Sequence, residues 1–508
     1  MSNIFDAVKK YVRMDLSILN NNGKCPTKED LPEIIKRVLD RLIENPHPFT
    51  KEQVLSVELQ KVISHFNTSI PTKLGATLVL DGGSSNHKEW LEIADRTNWN
   101  FEKRFKEYLS EELDYGPEVV EDINKAADKI LSKLENPKKE GIWRRQGLVF
   151  GNVQSGKTTN YSSLINKAAD AGYKRIIILG GLTKHLRAQT QIAVEEFFVG
   201  TKTKTKIEPE EGPVGVGLFT DYNLKVTSIT NRDDNGDFRK KTLEGILNAN
   251  FSSDPMLFVV QKNPTTLANL IKFFDQKNCT EGEDFPLLLI DDECDNGSVN
   301  TNKQDKSPTK INNSIRILLS LFKRSAYVAY TATPFANIFI TPEPSKIKYT
   351  FKGKVLRDEA GDIVWEFNKN IPTQKLEEIE KIFYAKDLFP EDFIINLPSN
   401  NNYIGAKKLF NIPDDLDESA ETDPLPVVRT FENDLLHGDE KLKKLERDWI
   451  PPRHKTTHTF EYDKDPNEMS PTLKYAIKSF FLSIAAKNIR VGKNDHNTML
   501  INITNWKD

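Results

Sequence analysis

Apolar residues recur at helical spacing through the first 140 residues of the chain. The clearest case is LPEIIKRVLDRLI, residues 31–43, which places its aliphatic side chains on one face of a helix. Segments 52–66, 99–109 and 119–134 repeat this pattern. We therefore predict an α-helical N-terminal module over residues 1–140, serving as a lid or a partner surface.

Short apolar runs alternate with helical patterns from residue 141 to residue 345. The runs are rich in β-branched and long aliphatic residues, which is typical of buried parallel strands. Predicted strands cover 148–150, 175–179, 256–260, 285–290 and 326–330. Predicted helices cover 160–169, 184–197 and 311–322. Strands that alternate with helices indicate an α/β fold with a parallel sheet.

The pattern changes after residue 346. Residues 349–356 and 363–367 predict a β-hairpin, whereas 371–469 show no regular period and are interpreted as irregular. Serine followed by proline at positions 470 and 471 favours a helix start, and residues 498–504 read as a strand.

Composition and charge exclude several classes of protein. The chain has 508 residues, too many for one core, and its net charge of −3 gives no global basic excess. Any contact with nucleic acid must therefore come from a local basic patch. We find no signal peptide and no apolar run long enough to span a membrane. Three widely separated cysteines fit a reducing compartment, so we expect a cytoplasmic protein without membrane contact.

Residues 147–159, GLVFGNVQSGKTT, contain a full match to the phosphate-binding pattern G-x-x-x-x-G-K-[ST]. Its glycines let backbone N–H groups face the phosphates, its lysine reaches the β- and γ-phosphates, and its hydroxyl binds magnesium. A predicted strand precedes the pattern and a predicted helix follows it. The alternative is a plain glycine turn. The predicted nucleotide-binding residues are Gly151, Gln154, Ser155, Gly156, Lys157, Thr158 and Thr159, with Thr158 also a metal ligand.

Acidic residues follow the predicted strand 285–290. A carboxylate at a strand tip can hold magnesium, and a neighbouring glutamate can orient or deprotonate the attacking water. We therefore assign Asp292 as a metal ligand and Glu293, with Lys157, as catalytic, and Asp291 as an additional carboxylate. The alternative is an acidic cluster that caps a helix.

Two further polar groups flank these motifs. Thr331 and Thr333 follow the strand 326–330, where their hydroxyls are candidates for linking the acids to a bound partner. Residues 141–146, GIWRRQ, precede the phosphate-binding pattern. They are interpreted either as a reader of the adenine ring or as a solvated edge, and both interpretations stay open.

Taken in order, these motifs resemble motifs I, Ia, II and III of superfamily 2 helicases. The counterparts are the phosphate loop, LRAQ at 186–189, DECD at 292–295 and TATP at 331–334. Longer segments resemble the Z-one domain family of prokaryotic proteins. They are GNVQSGKTTNYSSLINKAADAGYKRIIILGGL, LLLIDDECDNGSVNT, YVAYTATPFANIFI and DLFPEDFIINLPSNNNYIGAKKLF.

The resemblance implies a RecA-like P-loop NTPase lobe over 141–345, after the helical module of 1–140. An insert or linker over 346–469 and the start of a second RecA-like lobe over 470–508 would follow. It also implies ATP and Mg²⁺ as cofactors. Gln189, Thr331 and Thr333 would couple hydrolysis to DNA.

The Z-one family is labelled as endonucleases and occurs in restriction and phage-defence gene neighbourhoods. The resemblance therefore implies a helicase-like, DNA-stimulated ATPase motor or remodeller. Its partners would be DNA and a nuclease or other defence subunit, and an oligomer is left open. The alternatives are an ATP-dependent switch that controls assembly with a nuclease, or a nuclease in its own right. No P-D-x(n)-[DE]-x-K nuclease core is legible.

Two expectations follow for the proposed motor. DNA should contact local basic residues, namely Lys184, Arg187, Lys306 and Lys310. A second lobe that stops at its first strand would lack the arginine that stabilises the transferring phosphoryl group. We therefore expect these 508 residues alone to hydrolyse ATP slowly.

Overall fold

A computed structural model describes most of the chain in two compact units, residues 1–403 and 404–508. The described residues are 4–21, 30–45, 49–59, 62–63, 78–82, 87–113, 115–151, 156–204, 212–242, 254–281, 285–300, 309–340, 345–357, 363–366, 377–397, 471–491 and 499. All of the strands and all but one of the helices described below belong to the first unit.

Helices and strands alternate through the middle of the first unit. The α-helices are α1 (Ile4–Asn21), α2 (Leu31–Glu44), α3 (Lys51–Leu55), α4 (Asn100–Glu111), α5 (Pro117–Lys133), α6 (Lys157–Ala171), α7 (Lys184–Val194), α8 (Pro264–Glu281), α9 (Lys310–Ser320), α10 (Phe335–Ile338) and, in the second unit, α11 (Pro471–Val491). The strands are β1 (Leu78–Asp81), β2 (Trp143–Phe150), β3 (Arg175–Gly180), β4 (Thr227–Ser228), β5 (Met256–Val260), β6 (Leu287–Asp292), β7 (Arg324–Thr331), β8 (Ser345–Arg357), β9 (Ile363–Glu366), β10 (Glu377–Ala385) and β11 (Phe393–Asn396). No described helix combines the length and the apolar character that crossing a bilayer requires.

An eight-stranded sheet forms the centre of the first unit, in the order β1-β11-β2-β7-β6-β3-β5-β4. All neighbouring pairs run parallel except β1 and β11, which are antiparallel. From β2 the chain crosses past β7 and β6 to β3, whereas from β7 it returns to β11 on the far side of β2. Since these connections leave in opposite directions, a crevice is expected at the carboxyl ends of β2 and β7.

Both faces of the sheet are covered, because successive side chains of a strand point to opposite faces. Along β3, Ile176 and Ile178 belong to a core with helices α5 and α6, and Ile177 and Leu179 to a core with α8 and α9. The strands are buried on both sides, which accounts for their continuous apolar runs. The predicted α/β class with a mostly parallel sheet is confirmed.

Part of the predicted N-terminal module is integral to this layered core. The buried ammonium of Lys167 on α6 lies 2.9 Å from Glu102 Oε1 on α4 and 2.7 Å from Asp128 Oδ1 on α5. Helices α4 and α5 are therefore anchored to α6, which packs on the sheet. The residues that form a separate small core lie earlier in the chain, on and next to α1, α2 and α3.

Most predicted elements of the middle region are confirmed, but helix α8 was not predicted there, and other regions of the chain differ as well. The helix predicted over 184–197 ends at Val194 and continues as a π-helix, Glu195–Val199. The irregular interpretation is wrong for 377–397, which contains β10 and β11, and β1 was missed in the predicted helical module. The hairpin is confirmed as β8 and β9, and the helix after Ser470 as α11. The strand predicted over 498–504 lies outside the described residues apart from Met499.

Neither interpretation holds for Trp143, Arg145 and Gln146, which begin β2 and are buried, whereas Gly141 and Ile142 just before them are exposed. Trp143 is buried with its ring edge-on to Tyr173. Arg145 pairs with Asp392 at 2.5 Å, and the Gln146 amide donates to the Asp387 and Phe389 carbonyls at 2.9 and 3.0 Å. They lie at the amino end of β2, whereas the phosphate-binding pattern follows its carboxyl end.

Gly147 on β2 provides a test of how tightly β11 packs against the sheet. A Cβ added at Gly147 would lie 2.0–2.3 Å from ring atoms of Phe393, its register partner on β11. We expect Gly147→Ala to lower the free energy of unfolding by about 1–3 kcal/mol, because the ring must leave its position. Chemical denaturation measures this. Gly212→Ala is the matched control, since its Cβ would meet nothing within 4 Å. Equal stability of the two variants would contradict the packing of Phe393 on Gly147.

Candidate functional site at the carboxyl edge of the sheet

Five parallel neighbours, β2, β7, β6, β3 and β5, end at one edge of the sheet. Their register places Phe150 opposite Thr331, Tyr330 opposite Asp292, and Asp292 opposite Gly180. Residues that follow these positions must therefore meet at this edge. The sheet thus places the described ends of the phosphate-binding pattern and the acidic residues at one edge.

The phosphate-binding pattern connects β2 to α6. Gly151 is buried, and its N–H donates to the Thr331 carbonyl at 3.2 Å. Residues 152–155, which include Gln154 and Ser155, lie outside the described residues. Gly156 has a φ of 73°, a left-handed conformation that favours glycine, and it immediately precedes α6. The end of the pattern next to α6 therefore has the backbone that a tight turn into a helix requires.

The first turn of α6 presents Lys157, Thr158 and Thr159 at this edge. The Lys157 ammonium donates to the Gly151 carbonyl at 3.1 Å, so the side chain folds back over the start of the pattern. Burial lowers the pKa of Lys157, and the nearby carboxylates of Asp292, Glu293 and Asp295 oppose that shift. No acidic residue occupies this helical turn, which leaves the positive end of the helix uncompensated within it. An anion would be stabilised here.

The acidic residues occupy the last two positions of β6 and the turn that follows it, a segment that we call the acid turn and define as residues 291–295. Glu293 has a φ of 52°, an uncommon conformation for a residue with a side chain. Its N–H donates to Asp292 Oδ1 at 3.1 Å, and its side chain is exposed. The turn therefore holds Asp292 at the end of the sheet and leaves the Glu293 carboxylate facing solvent.

Asp292 lies in an environment that disfavours its negative charge. Burial is the main cause that raises its pKa to about 6, and the carboxylates of Glu293 and Asp291 add to the effect. The Lys262 and Lys157 ammonium groups act in the opposite direction. The Tyr161 hydroxyl of α6 lies 3.4 Å from Asp292 Oδ2. A bound cation would relieve the repulsion between the carboxylates.

A buried lysine pairs with Asp291 of the acid turn and hydrogen-bonds to its backbone. Lys262, two residues past β5, is fully buried, and its ammonium lies 2.8 Å from Asp291 Oδ1. It also donates to the Glu293 carbonyl at 2.6 Å and the Asn296 carbonyl at 3.4 Å. The other Asp291 oxygen accepts the Tyr327 hydroxyl at 2.7 Å. Asp291, predicted only as an additional carboxylate, is thus the buried anchor of the turn.

The two threonines after β7 are bound to the acid turn. Thr331 Oγ1 donates to Asp295 Oδ1, and Thr333 Oγ1 donates to Asp295 Oδ2, both at 2.7 Å. The Thr333 N–H also donates to Thr331 Oγ1 at 2.9 Å. Asp295 therefore links the segment that follows β6 to the end of β7.

The other residues predicted to contact DNA or to couple hydrolysis to it have no hydrogen bond to the acid turn among the described residues. Gln189 on α7 is exposed, with its side-chain nitrogen 3.0 Å from His185 Nε2 on the same helix. Lys184 and Lys310 are exposed at helix starts, and Lys306 lies outside the described residues. The prediction of a DNA contact is wrong for Arg187. Its guanidinium is buried and donates to the Asn231 and Asp233 carbonyls at 2.8 and 2.7 Å.

Sequence reasoning missed Lys262, Tyr161 and Asp295 as parts of this site. Lys262 had a usable signal, because it follows the apolar run of β5 and therefore lies at the same edge as the other strand ends. Asp295 stands within the quoted DECD motif, but its threonine partners belong to another strand. Tyr161 gave no distinguishing signal, since it fits the apolar face of a helix.

No family model and no curated protein matches the chain. The resemblance to the Z-one family therefore stays a prediction. The structure defines an α/β protein with an eight-stranded, mostly parallel mixed sheet. A lysine, a helix start and a turn of carboxylates converge at its carboxyl edge.

Proposed function

We propose that this protein binds ATP with Mg²⁺ at the carboxyl edge of its sheet and hydrolyses it. The observation that carries the proposal is the meeting of Lys157, at the start of α6, with the acid turn. Lys157 and the start of α6 can hold phosphates, and the acid turn can hold a metal and activate water. Strand β7 lies between β2 and β6, and Thr331 at its end accepts the Gly151 N–H and donates to Asp295.

The residues at this edge fit a nucleotide-borne magnesium ion better than a metal site built by protein alone. Among the described residues, no group of three or more His, Cys, Asp or Glu side chains could hold a metal ion. Magnesium commonly uses one or two carboxylates, waters and substrate phosphates instead. Asp292 and the Thr158 hydroxyl would supply the protein oxygens. The raised pKa of Asp292 is consistent with a carboxylate that awaits a cation.

Each residue has a distinct part in the proposed reaction. Lys157 would exchange its bond to the Gly151 carbonyl for phosphate oxygens, and the first N–H groups of α6 would face the same anion. Bound Mg²⁺ would neutralise charge on the β- and γ-phosphates. Glu293 would orient the attacking water and accept its proton. Lys262 would hold the backbone of Glu293 in place through its carbonyl.

We further propose that hydrolysis is coupled to DNA, in a helicase-like motor or remodeller of a prokaryotic restriction or phage-defence system. The support is the resemblance to superfamily 2 helicases and the Z-one family, together with the Asp295 link to Thr331 and Thr333. Lys184 and Lys310 are exposed candidates for contacts to the DNA backbone. Steady-state ATP turnover with and without duplex DNA tests the proposal, since a switch that never translocates would show no stimulation.

Thr333→Val is expected to reduce stimulation by DNA at least about five-fold while leaving ATP affinity unchanged, because allosteric coupling typically reaches that size. The valine keeps the shape of the side chain but loses the hydroxyl that donates to Asp295. ATP turnover across a DNA titration measures the effect. Thr333→Ser is the matched control, since it keeps the hydroxyl. Full stimulation of Thr333→Val would contradict a coupling role for this bond.

A further inference from the structure

A second cleft lies at the opposite edge of the sheet, where β2 and β7 begin. Its volume is about 390 Å³, within the range of small-molecule sites. Residues around the starts of β2, β7 and β11 line it, including Ile142, Arg144, Phe322 and Lys323. Arg144 precedes Gly151 by seven residues, so the cleft lies about 23 Å along the strand from the phosphate-binding pattern. It is a separate site.

Arg144 is the unusual residue of this cleft. Its guanidinium has a weak hydrogen bond to Ser320 Oγ at 3.4 Å, and it forms none of the ion pairs seen among the described residues. Burial, with a further contribution from the Arg316 charge, lowers the pKa of Arg144 to about 10. The side chain therefore remains charged at neutral pH. Arg144 is partly buried, and a partly desolvated cation without a counter-ion would gain from pairing with an anion.

The carboxylates that line the cleft already have cationic partners. Asp392 accepts from Arg145 at 2.5 Å and from the Gln146 N–H at 2.6 Å. Glu391 pairs with Lys386 at 2.7 Å. Arg316, beneath the cleft, donates to the Lys386 and Ala385 carbonyls. The positive charge of Arg144 is therefore left to be balanced from outside this group.

We propose that this cleft binds a small molecule that carries a carboxylate or phosphate group next to an apolar group. The oxyanion would pair with the planar guanidinium of Arg144, whose N–H groups match two oxygens at once. Ile142, which is 85 % exposed, and the Phe322 ring would cover the apolar part. Lys323 is exposed at the rim, and its positive charge would attract the oxyanion without pairing with it directly.

The test uses benzoate and phenyl phosphate as probes and the full chain as the protein. Calorimetry at fixed ionic strength should give saturable binding of at least one probe, with a dissociation constant of about 1 mM. Comparison of the two probes identifies whether the site prefers a carboxylate or a phosphate. Phenol, the neutral analogue, should bind much more weakly.

Three variants locate the binding. Arg144→Met should lower the affinity for the preferred probe about ten-fold to a hundred-fold, because a charge-assisted hydrogen bond is lost. The affinity of Arg144→Lys for this probe should lie between those of Arg144→Met and the wild type, since lysine keeps the charge but lacks the planar pair of N–H donors. Lys157→Ala should bind as the wild type does, which separates this cleft from the proposed nucleotide site. Equal affinity in the wild type and Arg144→Met, loss in Lys157→Ala alone, or no saturable binding of either probe would overturn the proposal.

Discussion

Lys157→Ala is expected to weaken ATP binding about a hundred-fold or more. The ammonium would contact two phosphate groups, and each charge-assisted hydrogen bond contributes roughly 1.5–3 kcal/mol. Calorimetric titration with Mg-ATP measures the change. Lys184→Ala is the matched control, because Lys184 is an exposed lysine at another helix start of the same edge. Comparable ATP affinity in Lys157→Ala and the wild type would refute the nucleotide site.

The partner variant Glu293→Gln separates binding from chemistry. The amide keeps the size of the side chain and does not alter the left-handed backbone requirement at this position. It cannot accept a proton, so turnover should fall by about 10²–10⁴ while ATP remains bound. If Glu293→Gln turned over normally while Asp292→Asn did not, the roles of the two carboxylates would have to be exchanged.

Lys262→Met is expected to have the largest effect on stability. It removes the cation from a pair in which both side chains are fully buried, and it leaves the Asp291 carboxylate with the Tyr327 hydroxyl. Breaking a buried pair in this way costs about 3–5 kcal/mol, because an uncompensated charge stays in the interior. Chemical denaturation of the wild type and the variant measures the difference.

A second substitution controls for the loss of packing at Lys262. Adding Asp291→Asn removes the stranded charge and keeps an oxygen for the Tyr327 hydroxyl, so the double variant should recover part of the lost stability. Non-additivity of this kind is expected for residues in direct contact. If the losses of stability in the two single variants simply added in the double variant, the ion pair itself would contribute little.

The central strands could be predicted because their signals are local. Five apolar runs of the middle region mark the strands, and each run is only a few residues long and almost entirely buried. The position of Asp292 followed from the same reasoning, since parallel strands share one carboxyl edge. These inferences needed no knowledge of which strands are neighbours.

The remaining features depend on pairings between distant segments. Strand β11 is a run of four residues whose neighbour β2 lies about 250 positions earlier, and β1 in turn depends on β11. The amino end of β2 was misread because Arg145 and Gln146 are satisfied by groups near residue 390. Asp295 and Lys262 likewise acquire their contacts only when separate strands are brought together.

The late position of β11 has a consequence for synthesis of the chain on the ribosome. When the strands up to β7 have emerged, β2 still presents an unpaired edge beside the phosphate-binding pattern. Exposed strand edges template association with other chains, and long-range pairings form slowly. The nascent protein must therefore wait until residues 393–396 leave the exit tunnel before this edge is closed. During that interval the uncovered edge of β2 is open to association with other chains or with a chaperone.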